Sequence, residues 1–377
     1  MNIAFCLFNY FPYGGLQRDF IRIARTCVAR GHEVHVYTMS WEGEQEPSLH
    51  IHLLSVDGRQ NHVRNRHFAS QVKIELDKQS HDIVVGFNKM PHLDVYYAAD
   101  VCFKARAHEK HNWFYRLLPR YRQLCALEEA VFNAGNSTEI LLIAKHQQKE
   151  FIRYYQTEEN RFHLMPPGIS KDRMAPVNAS QIRDAVRTRY DLPEHDVLLL
   201  AVGSGFKTKG LDRSIRGLAA LPEVLRESTH LFVIGDDKPD AFLQLADKLK
   251  VSEHVQFLGG RSDVPDFLLA ADFLVHPAYH ENTGTVLLEA VVAGLPVLTV
   301  DVCGYANYIN DAKAGVVLSS PFKQDVFNIM LQRMLVSPER YEWKQNGLAF
   351  AKNRDIYSLT DKAADFIEEM RQQHVSA

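Results

Sequence analysis

Hydrophobic residues recur along this chain in two alternating rhythms. Short apolar runs at 3–8, 33–38, 49–54, 82–87, 94–98 and 139–144 read as strands, and stretches with three-to-four spacing between them read as helices. After Leu16 the helical pattern is plain: Leu16, Phe20, Ile23, Ala24 and Cys27 fall on one face, Arg18, Arg22 and Arg25 on the other. From residue 197 the alternation restarts. Val197-Leu-Leu-Leu-Ala-Val202 is apolar throughout, as a parallel strand covered on both faces must be, and further runs follow at 231–235, 255–258, 273–276 and 296–300. Between the two series lie the rigid, linker-like Pro166-Pro167-Gly168-Ile169 and a polar segment at 174–195 that predicts one helix. From Gln324 onward the pattern is helical and closes with a helix at 357–370. At 377 residues the chain is longer than one hydrophobic core comfortably serves. The expectation is an α/β protein of two Rossmann-like parallel-sheet domains, 1–168 and 169–355, whose carboxyl-edge loops face one another across a cleft.

Several loops carry candidate chemistry. Gly14-Gly15 stands at the start of the first helix, where paired glycines let a ligand approach the backbone closely. Asn88-Lys89 and Asp100 follow strands of the first half. In the second half, Gly203-Ser-Gly205-Phe-Lys207-Thr-Lys209-Gly210 is a glycine-rich strand-to-helix turn with two lysines, and Gly259-Gly260-Arg261 ends another strand. The most informative stretch is His276-Pro-Ala-Tyr-His-Glu281-Asn-Thr-Gly284-Thr-Val-Leu-Leu-Glu289. An apolar strand leads into it, Thr283 or Thr285 can cap the helix that follows, and Gly294-Leu-Pro296 stops that helix. Glu281 and Glu289 are then separated by roughly 12 Å at ~1.5 Å rise per residue, enough to span a diphosphate and a sugar. The backbone N–H groups of Thr283, Gly284 and Thr285 lie between them, where a helix start can hold phosphate. The same residues also suit an ordinary surface helix with a polar start.

Composition narrows the choices. A net charge of −3 gives no global attraction to nucleic acid. The five cysteines are scattered without a C-x-x-C pair, which favours free thiols over a disulfide frame or a zinc site. The first residues do not read as a signal peptide, and no run approaches a membrane span, so a cytoplasmic protein is expected. Asp236-Asp237 is not a D-x-D metal motif, and no carboxylate cluster for magnesium stands out. The 103–132 segment, opening on Phe103 and ending on Phe132, is locally basic. Lys104, Arg106, Lys110, Arg116, Arg120 and Arg122 face only Glu109 until Glu128, interleaved with Trp113, Phe114, Tyr115, Leu117, Leu118 and Tyr121. A basic helix carrying large aromatics suits an anionic membrane surface; a cationic helix packed on the sheet is the plainer reading, and nucleic-acid stacking is disfavoured by the overall charge. His108-x-x-His111 reads as solvent-facing rather than metal-binding, and Arg59, Arg64 and Arg66 form a second basic cluster with His62 and His67. A generic dinucleotide oxidoreductase would need a G-x-G-x-x-G fingerprint that neither half supplies. A non-catalytic membrane-binding module would rest on the 103–132 segment alone.

Gly14-Gly15, Pro166-Pro167-Gly168-Ile169, the 203–210 lysine loop and Glu281-x7-Glu289 together resemble retaining glycosyltransferases of the GT-B fold, of the family 4 type. Over nearly the whole chain the resemblance narrows to the bacterial lipopolysaccharide core glucosyltransferase I family. Phe11-Pro-Tyr-Gly-Gly-Leu-Gln-Arg-Asp-Phe20, Ser40-Trp-Glu-Gly43, Val85-Gly-Phe-Asn-Lys-Met-Pro91, Ala98-Ala-Asp-Val-Cys102 and Val302-Cys-Gly-Tyr305 carry it. It implies GT-B architecture with the C-terminal helix at 356–377 crossing back to the N-terminal domain. It implies a UDP-glucose donor, a heptose acceptor in the lipopolysaccharide inner core, α-1,3 linkage with retention, and no metal or other cofactor. By position, Glu289 takes the ribose hydroxyls, Glu281 the glucose hydroxyls, and Arg261 lies against the uracil. Backbone at Gly15, Asn282, Thr283, Gly284 and Thr285, with Lys209 and Arg173, takes the diphosphate. Asp19, Asn88 and Asp100 fall on the acceptor side, with Asp100, Lys209 and Glu281 as the catalytic candidates. Work at the cytoplasmic face of the inner membrane of a Gram-negative cell is implied, with 103–132 on the anionic lipid surface. Many relatives open the phosphate loop with Gly-Arg where this chain has Gly203-Ser204, which leaves Arg173 and Lys209 as the expected cations, with Lys207 as a spare.

Overall fold

The computed structural model describes residues 1–12 and 14–376, apart from the side chains of 373–376; Tyr13 of the first glycine-rich turn lies outside the described residues. The chain divides into two compact units, one of 1–168 with 357–377 and one of 169–356.

Unit 1 holds β1 (Asn2–Cys6), β2 (Glu33–Thr38), β3 (His50–Leu53), β4 (Ile83–Gly86), β5 (Val95–Ala98), β6 (Glu139–Leu142) and β7 (Phe162–Leu164) in a parallel sheet ordered β3-β2-β1-β4-β5-β6-β7. Helices cover both faces, so both sets of alternating side chains are buried. Ile3, Phe5, Val34, Val36, Val85 and Tyr97 pack on one side, and Ala4, Cys6, Tyr37, Tyr96 and Leu142 on the other. Helix Gly15–Ala29 lays Phe20, Ile23, Ala24 and Cys27 on the first side, the face that its spacing predicts. The C-terminal helix Leu359–Ser376 returns to this same core through Leu359, Ala363, Ala364, Ile367 and Met370. Polar contacts fix it there: Arg30 pairs with Asp365 and Glu368 at 2.8 and 3.2 Å, and His32 Nε2 lies 2.6 Å from Glu368.

Unit 2 holds β8 (Val197–Val202), β9 (Thr229–Ile234), β10 (Val255–Phe257), β11 (Phe273–His276), β12 (Val297–Val300) and β13 (Gly315–Leu318), parallel and ordered β10-β9-β8-β11-β12-β13. One apolar core runs through it. The sequence pattern had no strand at β13 and no helix at Ala306–Ala312, both too short to show a period. Helix Ala179–Arg189 occupies the middle of the polar 174–195 segment.

In each sheet the strand order reverses once, between β1 and β4 in unit 1 and between β8 and β11 in unit 2. At such a reversal neighbouring connections leave in opposite directions, and a crevice opens beyond the carboxyl ends of the two strands.

The 103–132 segment is not the single basic helix its composition suggests. It consists of helix Phe103–Lys110, a 3-10 turn Trp113–Leu117 and helix Pro119–Phe132. Pro119 explains the second break, between the 3-10 turn and the last helix: it disfavours helical geometry at Leu118 while suiting the first position of a new helix. His108 is half-buried against Tyr121, its Nε2 2.9 Å from the hydroxyl, and is not turned to solvent. His62 likewise leaves the basic cluster of Arg59, Arg64 and Arg66, because helix Asn61–Leu76 buries it.

Candidate active site

The reversal between β8 and β11 brings together the two loops that the sequence marks. After β8 the chain passes Gly203 at φ 130° and Gly205 at φ 79°, then enters helix Leu211–Ala219 through Gly210 at φ 75°. A side chain at Gly210 would overlap the carbonyl oxygen of Pro277, so glycine there lets the loop press directly on the one after β11. Tyr279 N donates to Thr208 O at 2.8 Å, and the Arg213 guanidinium donates to the carbonyls of Pro277 and Ala278 at 3.0 Å each. The two loops are therefore one rigid piece.

Glu281 is the centre of that piece. Its carboxylate forms an ion pair with Lys209, and His276 Nε2, at the end of β11, lies 3.4 Å away. The Glu281 backbone bridges to Cys303, and Tyr305 N donates to Thr283 O at 2.7 Å, which ties the loop to the stretch after β12. Burial works against ionisation of Glu281. The Lys209 ammonium and the neighbouring His276 imidazole outweigh it and hold the carboxyl down at about 2. Its folded value thus lies below its ordinary 4.5, so the charged group stabilises the fold above about pH 4.5 and loses that contribution as the pH falls toward about 2. Thermal unfolding of the protein and of Glu281→Gln should accordingly differ at neutral pH and converge in acid. A gap equally wide at both ends of the scan would contradict the depressed titration.

The helix beyond the loop is Thr285–Val292, and neither Thr283 nor Thr285 caps it with a side chain. Gly284 is the cap residue, at φ 83°, with the Glu281 side chain packed against it. A left-handed cap is cheap only for glycine. The first-turn N–H groups of the helix have no partner within it, so the start remains a place for an anion. Glu289 is reached further along, and Arg173, in the 3-10 turn Lys171–Arg173, lies 3.9 Å from its carboxylate. Two cation–carboxylate pairs, Lys209–Glu281 and Arg173–Glu289, thus belong to the same helix and the loop before it. Lys207 is exposed, whereas Lys209 is half-buried. Arg261 is held by a two-pronged contact with Asp263, both bonds at 2.7 Å, and lies over the Phe267 ring at 4.9 Å. His276 received no role from the sequence, where it looks like the polar end of an apolar run. The signal was a titratable residue at the carboxyl end of a strand beside the reversal.

In unit 1 the other reversal carries the remaining candidates. Asn88 accepts a hydrogen bond from Phe8 N at 2.7 Å and so latches the ends of β1 and β4 together. Asp19, in the first helix, accepts from the Tyr97 hydroxyl at 2.7 Å. Burial pushes its carboxyl up, against the lowering effects of Tyr97, Arg22 and Arg18. Asp100 is exposed just past β5, and Gly15 is exposed at the helix start, where an added Cβ would meet open space.

Comparison with known proteins agrees with this architecture. The glycosyl transferases group 1 family matches residues 182–370, and glycosyltransferase family 4 matches 13–173. The chain is 49% identical over 368 residues to the lipopolysaccharide glucosyltransferase WaaG of Escherichia coli K12, which covers 97% of this chain and 98% of that protein. A crystal structure of WaaG superposes with a TM-score of 0.92 at 48% identity, over 97% of this chain and 99% of the other. The D-inositol 3-phosphate glycosyltransferase of Streptomyces avermitilis is 32% identical over 181 residues, 45% of this chain and 38% of its own. Anabaena HepE in complex with UDP-glucose shares the fold, with a TM-score of 0.75 at 16% identity, over 97% of this chain and 99% of the other. The β8–β11 loops with their paired cations and carboxylates sit in a GT-B glycosyltransferase, and the chain belongs to the group 1 glycosyltransferases, among the enzymes of lipopolysaccharide core synthesis.

Proposed function

We propose that the enzyme moves glucose from UDP-glucose to an inner-core heptose of lipopolysaccharide, forming an α-1,3 linkage with retention and without a metal ion. The observation that carries this reading is the Lys209–Glu281–His276 group at the start of helix Thr285–Val292. Glu281 accepts hydrogen bonds from the glucose hydroxyls and Glu289 from the ribose. Lys209, Arg173 and the backbone of Gly15, Asn282, Thr283, Gly284 and Thr285 hold the diphosphate, and Arg261 lies against the uracil. Asp19, Asn88 and Asp100 serve the acceptor. As the C1–O bond to UDP breaks, charge grows on the β-phosphate oxygens, and cations fixed there stabilise the transition state more than the bound donor. The heptose hydroxyl attacks C1 on the face that UDP leaves, and its proton passes to the departing phosphate. The test is transfer from a panel of UDP- and GDP-sugars onto heptose-terminated lipopolysaccharide, read by mass. A gain of one hexose from UDP-glucose alone is expected; a gain from another UDP-hexose would move the donor assignment, and none from any donor would remove the acceptor.

The enzyme works at the cytoplasmic face of the inner membrane. Among the described residues no helix is long and apolar enough to cross a bilayer. Surface attachment rests instead on the 3-10 turn and the residue after it, where Trp113, Phe114, Leu117 and Leu118 are 59%, 58%, 52% and 47% exposed. Arg106, Lys110, Arg116, Arg120 and Arg122 are exposed around them. Each cation near an anionic surface adds about 1 kcal/mol, and the apolar side chains enter the interface. In flotation with phosphatidylglycerol-containing vesicles, replacing these five cations by glutamine should release most of the bound protein. Undiminished flotation of that variant would refute surface attachment through this segment.

A further inference from the structure

At the amino ends of β2 and β3 a group of histidines lies away from the candidate transfer residues. Side chains alternate along a strand, so Glu33 and His35 project from the same side of β2. The parallel register pairs His35 with His50 and Tyr37 with His52 on β3, the edge strand of the sheet. Glu33 Oε1 is 3.1 Å from His35 Nε2 and 3.5 Å from His50 Nε2. The three ligand atoms all lie within 4.8 Å of one another. A tetrahedral ion bound at about 2.0–2.1 Å needs its ligand atoms roughly 3.4 Å apart, which the two Glu33 separations already match. The His35 and His50 rings are stacked, with centroids 4.7 Å apart and 21° between planes, so the exposed His50 must turn its ring for Nε2 to meet the ion.

The surroundings fit an ion as well as the spacing does. His35 is buried, and its Nδ1 is 3.0 Å from His52 Nε2. When His35 donates from Nδ1 to His52, its Nε2 is left as an acceptor beside the Glu33 carboxylate, with the Gln79 amide nitrogen 3.4 Å away as the donor a cation would displace. A cation there satisfies both, and His50 supplies a third ligand from the neighbouring strand. His52 is in turn stacked on Tyr37 with ring centroids 4.7 Å apart. The Tyr37 hydroxyl lies 3.0 Å from His81 Nε2, and His81 Nδ1 lies 2.9 Å from Asn2 Oδ1. The His52 contact orients the His35 ring, as a partner behind a ligating imidazole does, and the stack on Tyr37 holds His52 in place. On the outer side, Glu33 and His50 have side chains 54% and 57% exposed, which leaves a path from solvent.

We propose that Glu33, His35 and His50 bind one divalent transition ion of borderline softness, zinc being the type case, with water completing the coordination. The donor set of two imidazoles and one carboxylate suits zinc and disfavours magnesium or calcium, which prefer oxygen ligands. The site is at the opposite strand ends from Asn88 and Asp100, so the ion takes no part in transfer. Its effect is to pin edge strand β3 to β2.

The test uses untagged full-length protein dialysed against zinc chloride with a competing chelator. One zinc per chain is expected, with a rise in thermal unfolding temperature. Because Glu33 and His50 are exposed, Glu33→Gln and His50→Ala should fold and unfold in chelator as the parent does. Each should weaken zinc binding about tenfold or more and remove most of the zinc-dependent rise. Absence of zinc uptake would mean that the Glu33–His35 contact is a hydrogen bond only. Equal uptake by both variants would mean that zinc binds elsewhere. Either result overturns the proposal.

Discussion

Lys209→Ala is expected to slow hexose transfer by about 10²–10³-fold while unit 2 stays folded, the scale seen when one fixed donor to a developing anion is removed. Lys209 is the only lysine of its loop that the structure turns inward, toward Glu281; Lys207 is exposed. The loop itself is held by Gly210 against Pro277 and by Tyr279 N on Thr208 O, contacts that do not pass through the Lys209 side chain. Glu281 has His276 Nε2 3.4 Å away as a second neighbour besides the lysine. The defect should therefore lie in kcat more than in donor affinity, since the lysine acts on charge that appears only as the leaving group departs. Lys207→Ala serves as the control and should retain activity close to the parent's. Turnover near wild type in Lys209→Ala would take the phosphate role away from this residue and leave it to Arg173.

The sequence revealed most where the pattern was long or the chemistry punctuated. The continuous apolar run at β8 and the glycines after it marked a buried strand and a phosphate-sized turn, while the reversal at which they sit is a matter of strand order. Glu281 and Glu289 followed from a strand, a loop and a helix in fixed order. What stayed hidden depended on contacts between distant segments. Two threonines beside a helix start look like caps, yet Gly284 takes that place because its left-handed backbone lets Glu281 turn back toward Lys209 and His276. His276 is silent in the sequence, because a histidine ending a strand gains meaning only when a carboxylate from the next loop arrives. The basic 103–132 segment was readable in composition but not in shape, although Pro119 already marked the start of its last helix. The histidine cluster of β2 and β3 was invisible for the same reason, since only the parallel register sets His35 against His50.

The largest effect on stability is expected at Glu128. This glutamate is fully buried in helix Pro119–Phe132 and accepts hydrogen bonds from Lys89 Nζ and the Tyr155 hydroxyl at 2.5 Å each. It also accepts from the backbone N–H groups of Phe103 and Lys104 at 2.8 and 3.0 Å. Helix Phe103–Lys110 has no side-chain cap from Cys102, its own N-cap residue, so Glu128 does that work from another helix. Burial disfavours the charge on Glu128, yet Lys89, Tyr155 and the Phe103 N–H reverse the balance and draw its carboxyl below the ordinary value. Lys89 shifts the other way: burial lowers it, but Glu128 and Asp100 more than compensate. Removing one partner of a buried ion pair strands the other charge, which costs roughly 3–5 kcal/mol. Glu128→Ala should lower unfolding stability in urea by about that amount, with the loss localised as faster amide exchange in helix Phe103–Lys110. Lys89→Met combined with Glu128→Gln should recover much of it, because no charge then remains buried and the glutamine oxygen can still accept from the helix N-terminus. A Glu128→Ala protein within about 1 kcal/mol of the parent would show that water or Tyr155 replaces the carboxylate. In that case the anchoring of the aromatic 3-10 turn would have to come from the apolar contacts of Tyr121 and Cys125 with Phe103 and Ala107.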